Sequence, residues 1–174
     1  EHIKAFFAES DIYISYKIAA KIGGRLEHST LLEKVNVAPR LSIAYKLSKT
    51  SQASLAYGIF YQNPERRYLP ALNPLTFMKA THYIAQFQRV ANQQSFRAEV
   101  FYKKYDDLVK TELGMTGESA SSNNGFGDAK GIEFFWREKK TSKNLDYWIS
   151  YSFHHTKRDF LNYTFAITPN FAAK

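Results

Sequence analysis

The chain has no cysteine, so no disulfide staples its fold and no thiol is available as nucleophile or metal ligand. It has no run of about 18 apolar residues, which excludes a transmembrane helix. The mean hydropathy of −0.43 does not exclude a membrane protein, because a barrel strand shows lipid only every second residue. No close catalytic triad, paired carboxylates or zinc spacing is present, so no enzyme, cofactor or metal is expected. No signal peptide precedes the opening EHIKAFFAES, which is already strand-like; a piece of something longer is expected.

Acidic residues are the scarcer charge: 16 Asp and Glu stand against 24 Lys and Arg in 174 residues, a net charge of +8. A basic balance admits nucleic acid, anionic lipid or an acidic ligand. The cations are scattered along strands and turns, and their densest run (Arg137, Lys139, Lys140, Lys143) reads as a solvated turn, so no nucleic-acid partner is expected. Aromatic residues are plentiful at 16%, with 12 Tyr and 14 Phe. They suit strands and membrane interfaces.

The dominant signal is period two. In QASLAYGIFYQNPE, Ala53, Leu55, Tyr57, Ile59 and Tyr61 alternate with Gln52, Ser54, Ala56, Gly58 and Gln62, broken only by Phe60. Eight such segments are expected, at about 3–14, 18–28, 35–47, 52–62, 79–88, 95–105, 129–137 and 145–154. The faces of the first are ambiguous at Phe6 and Phe7. Pro39 marks an irregular spot in the third. Brief turns alternate with other connections, of which NPERRYLPALNPLTFM and DDLVKTELGMTGESASSNNGFGD are long. Within the second, Gly117–Gly127 reads as a mobile loop tip. Short turns at one rim and long loops at the other are the pattern of an outer-membrane barrel. The polar faces carry Arg25, Arg40, Arg97, Glu99, Glu133 and Arg137, too much charge for a dry core. A water-filled lumen accepts it; so does the solvated side of an ordinary antiparallel sheet.

An ordered series of stretches resembles a known family. AFFAESDIYISYKIAAKIGGRLEHS, with Gly23, Gly24 and Arg25, is similar to a hairpin of TonB-dependent outer-membrane receptors of the Bacteroidetes type. VNVAPRLSIAYKLSKTSQASLAYGIFYQNPE resembles the following hairpin, opened by Pro39, Arg40 and Leu41. KATHYIAQFQ and GDAKGIEFFW, the latter with Gly131 and Glu133, resemble later strands. The resemblance implies an all-β, antiparallel up-and-down meander of about eight strands, part of a 22-stranded transmembrane barrel in the bacterial outer membrane. It implies active uptake of a bulky nutrient (ferric siderophore, haem, cobalamin or glycan). Its partners would be outer-membrane lipid, the remaining strands and plug of the same receptor, and the TonB energy-transducing complex, reached through an N-terminal region not found in this sequence. Two rival readings stand beside it: a complete small eight-stranded outer-membrane or ligand-binding barrel, and a soluble sheet-based binding module.

Two sets of residues are candidates for function. Arg66 and Arg67, with Tyr68, could contact an anionic ligand, since guanidinium matches carboxylates bidentately. Arg25, Arg40, Arg97 and Arg137 would line the lumen and form ion pairs with Glu27, Glu99 and Glu133. GFGDAKG (Gly125–Gly131) lacks the spacing and following helix of a phosphate-binding loop. His154 and His155, adjacent on a strand, point to opposite faces and cannot readily share a metal.

Overall fold

The computed structural model describes residues 2–65, 68, 75–114, 117–142 and 145–159. It is a single open sheet of eight antiparallel strands in sequence order. The strands are β1 (Ile3–Tyr13), β2 (Ile18–Ser29), β3 (Lys34–Lys46), β4 (Ser51–Gln62), β5 (Met78–Ala91), β6 (Gln94–Gly114), β7 (Gly117–Ser142) and β8 (Leu145–Arg158). Among the described residues β1 and β8 do not pair with each other, so the closed eight-stranded barrel is not the observed topology.

The turns at one rim are tight and locally specified. Ser15 Oγ accepts from the amides of Lys17 and Ile18 at the β1–β2 turn, and Ser48 Oγ accepts from those of Thr50 and Ser51 at the β3–β4 turn. Asn92 and Gln93 both have positive φ (48° and 69°), the mirror-image turn whose twist matches that of its flanking strands.

The opposite rim differs from expectation. Residues 106–114 and 117–128 are not loop: β6 and β7 continue through them as paired strands. The ladder is interrupted between Tyr105 and Thr111, where Asp107 adopts φ 56°. The glycines that suggested a loop tip answer to close backbone approach instead. A Cβ on Gly125 would lie 2.7 Å from the Leu108 carbonyl oxygen, and one on Gly127 would lie 2.6 Å from that of Lys157.

The register sorts the regularly paired side chains onto two faces. One row runs Ile12–Ala20–Ile43–Leu55–Ala85–Val100–Ile132–Phe153 across all eight strands. It is apolar throughout, and its large members are exposed: Leu55 60%, Val100 53%, Phe153 49%. Phe6 joins this face in a row with Leu26 and Val37, whereas Phe7 pairs with Arg25 on the other. No conventional core exists among the described residues. The buried apolar side chains among the described residues are Ala38, Leu75, Phe77, Phe101, Leu108 and Val109.

The apolar face is also slanted. Its upper edge falls from Val35 and Val37 in β3, both 59% exposed, to Phe153 in β8, which lies in the row of Ile43. Six to eight residues of rise is about 20–26 Å, and the five strand spacings from β3 to β8 total about 24 Å, giving a slope of about 40–50°. The lower edge slopes the same way, from Tyr45 in β3 to Tyr147 in β8, below its row-mate Tyr151. A flat band cut obliquely by strands is what a tilt of roughly 35–45° in an outer-membrane barrel produces.

Candidate functional site

Three surfaces carry chemistry: the polar face, the long-loop rim and the upper margin of the apolar face.

On the polar face a row runs Glu9–Gly23–Arg40–Gly58–His82–Lys103–Ala129–Thr156. Gly23 and Gly58 leave room on either side of Arg40, whose guanidinium lies 4.8 Å from the centroid of the Phe60 ring. Phe60 in turn packs on His82, centroid to centroid 4.5 Å. Further along, Lys103 sits over Phe101 at 4.7 Å and His154 packs on the same ring at 5.3 Å. The two phenylalanines that break the polar pattern are therefore platforms for cationic and imidazole groups. Lys21 lies between Glu9 (3.9 Å) and Asp11 (3.5 Å).

The six residues singled out for this face all fall on it, but they do not converge. Arg25 bonds Glu27 two residues along β2, and the Asn36 amide also donates to Glu27 at 3.4 Å. Arg137 pairs with Asp146 at 2.8 Å and not with a glutamate. Glu133 faces His154 at 3.7 Å. Glu99 stands directly opposite Glu133, with Gln86 on its other side. Arg97 shares a row with Gln88 and Phe135. The face is a polar wall, and no group of three metal-ligating side chains occurs among the described residues.

At the long-loop rim Tyr68 packs with Met78 against Leu75 and Val109, and its amide donates to the Glu65 carbonyl at 2.9 Å. Arg66 and Arg67 lie outside the described residues. Sequence reasoning missed the fastenings here. Asn123 bonds both the Thr76 amide and carbonyl (2.9 and 3.2 Å) and reaches the Asp107 carbonyl at 2.7 Å. Lys110 pairs with Asp159 at 2.7 Å with both side chains largely buried. Asn63 donates to the fully buried Ser29 at 3.1 Å. A cavity of about 470 Å³ opens between this rim and the polar face, lined in part by Phe60, Glu65, Tyr105, Leu108 and Arg158. No short motif announces any of these, because each joins residues far apart in sequence.

The margin of the apolar face carries a row Leu41–Tyr57–Tyr83–Tyr102–Lys130–His155. Tyr57 and Tyr83 lie 5.3 Å apart, and Tyr83 and Tyr102 stack at 6.2 Å. Above it run Ile59, Thr81, Lys104, Asp128 and Lys157. A ladder of tyrosines between an apolar band and charged residues is the arrangement that an interfacial girdle takes in membrane barrels.

Comparison with solved structures agrees with this geometry. The FrpB iron transporter from Neisseria meningitidis (F3-3 variant) superposes with a TM-score of 0.73 at 11% identity, over 90% of this chain and 26% of that one. The outer membrane transporter YddB from Escherichia coli gives 0.68 at 16% identity, over 90% and 25%. The siderophore receptor PirA from Pseudomonas aeruginosa gives 0.70 at 12%, over 91% and 34%. No family model and no curated protein matches the sequence. The fold is thus that of an outer-membrane β-barrel wall. More narrowly, it is the fold that this chain shares with an iron transporter, an outer membrane transporter and a siderophore receptor. The chain spans about a quarter to a third of the length of the structures it matches.

Proposed function

We propose that residues 1–174 form one partial β-barrel domain of a TonB-dependent receptor in the bacterial outer membrane, one that takes up a bulky nutrient. The observation that carries this reading is the exposed apolar row across all eight strands, backed by a polar, charged face. Lipid covers the first, and an aqueous lumen with a plug meets the second. Arg25, Arg40, Arg97, Glu99, Glu133 and Arg137 face that lumen, and Arg66, Arg67 and Tyr68 contact an incoming anionic ligand. The chain's role is wall and loops, without catalysis. Closure to 22 strands, the plug and the TonB-contacting segment come from the rest of the receptor, and β1 and β8 offer the open edges to which further strands pair.

The nutrient belongs to the class of ferric siderophores, haem, cobalamin or glycans. Two of the structural neighbours are an iron transporter and a siderophore receptor, which makes ferric chelates the first to test. The experiment is uptake of radiolabelled iron chelates, haem, cobalamin and oligosaccharides by cells with and without the full-length receptor, each with TonB present or deleted. One substrate is expected to enter only when receptor and TonB are both present. Uptake that persists without TonB would reject energised transport.

A further inference from the structure

A groove of about 670 Å³ crosses the apolar face beneath the tyrosine row. Its floor is Ala85, flanked in the same row by Leu55 and Val100; the small side chain between two larger ones makes the hollow. Tyr83 and Tyr102 wall its upper side, and Lys130 closes one end. In β7 the residue below Lys130 on this face is Ile132, in the apolar row, and the residue above is Asp128. The ammonium therefore sits at the margin of the apolar band, at headgroup depth.

Lys130 is exposed and has no carboxylate partner among the described residues. Lys104 differs: Asp106 holds it at 2.8 Å. Asp128 lies between Lys104 and Lys157 in the row above, and His155 flanks Lys130 on β8. We infer that this groove is a binding site for an anionic, phosphate-bearing lipid of the surrounding leaflet, its acyl chain along Ala85 and its phosphate on Lys130. A cation beside an apolar trough walled by tyrosines matches a molecule that is apolar below and anionic above. A free anion would leave the trough empty, and a neutral lipid would leave Lys130 uncompensated. The inference rests on the lipid-facing reading of this face and adds a specific occupant.

The test is native mass spectrometry of the full-length receptor in neutral detergent, titrated with phosphatidylglycerol, with diacylglycerol, and with inorganic phosphate as competitor. Phosphatidylglycerol is expected to stay bound, diacylglycerol to be lost, and millimolar phosphate not to compete. Lys130→Gln should weaken phosphatidylglycerol retention about fivefold, the effect of one interfacial lysine. Ala85→Phe, which fills the trough with an apolar group compatible with lipid, should weaken it as well. Lys49→Gln, in the turn at the opposite rim, should leave it unchanged. Unchanged retention in both Lys130→Gln and Ala85→Phe would overturn the site. So would equal binding of diacylglycerol, or full competition by phosphate. Either result leaves the lipid-facing reading standing, since that is judged separately by how arginines on the two faces affect assembly.

Discussion

Leu55 occupies the middle of the apolar row, between Ile43 and Ala85, and is 60% exposed. If lipid covers it, Leu55→Arg puts a guanidinium near the bilayer midplane. The cost there is roughly 2–4 kcal/mol, or about 30- to 800-fold in the equilibrium between assembled and unassembled receptor. Its neighbour Ser54 points the other way, in a row with Ala44 and Gln86. Ser54→Arg adds a charge to a wet wall and should cost under about 1 kcal/mol. The slant makes a sharper demand. Ile149 shares a row with Trp136, Phe96 and Arg89, so an arginine already sits at that level in β5. Because the band descends toward β8, Ile149 still lies within it, and Ile149→Arg should cost about 2 kcal/mol despite the native arginine in its row. His155→Arg, just above the band on the same strand, should cost about 0–1 kcal/mol. Assembly of the full-length variants is read as the heat-modifiable barrel fraction in outer membranes and as urea midpoints in vesicles. Equal yields for Leu55→Arg and Ser54→Arg would refute the lipid-facing wall. Equal yields for Ile149→Arg and His155→Arg would refute the tilt.

Three further outcomes are expected. Cysteines placed in the full-length receptor at Asn124, on the long-loop side, should react with an impermeant maleimide on intact cells, and those at Lys49 should not; the reverse pattern would invert the topology. Gly131→Ala drives a Cβ into the Phe153 carbonyl oxygen and within 2.8 Å of the Phe101 ring, so it should lower barrel stability by about 1–3 kcal/mol; Gly24→Ala, with nothing within 4 Å, is its silent control in the same urea titration. The isolated 174-residue chain keeps its apolar face and two open edges, so sedimentation should find it oligomeric or detergent-dependent, and a compact monomer unfolding cooperatively in plain buffer would count against a wall segment.

Much of this architecture was legible because a strand with one apolar face writes its alternation directly into the chain. Leu55 and Ser54 could be assigned to opposite faces with no structure. What the sequence could not supply was register. Phe6 and Phe7 are both aromatic, and only the pairing of Phe6 with Leu26 and of Phe7 with Arg25 separates them. The slant is likewise invisible in any single strand, since it emerges from how eight apolar segments are staggered. The stretch 106–128 reads as a loop in sequence for a different reason. Gly, Ser and Asn mark turns by their tolerance of unusual backbone, but Gly125 and Gly127 are placed where neighbouring carbonyls crowd a strand. Of the candidate site, the charged face was legible and its pairings were not. Arg40 rests on an aromatic ring, and Arg137 finds Asp146, because long side chains choose partners in space. The fastenings of the loop rim, such as Asn123 to Thr76, join segments whose proximity exists only after folding.

The most direct test of the wall is a nitroxide scan of β4 in the full-length receptor in bilayers, reading collision with oxygen, which partitions into lipid, against collision with a water-soluble nickel chelate. Labels at positions 53, 55, 57 and 59 are expected to favour oxygen, and those at 52, 54, 56 and 58 to be shielded from it, alternating in strict period two. Two results would contradict a lipid-facing wall: oxygen accessibility without alternation along Ser51–Gln62, or maxima on the serine face.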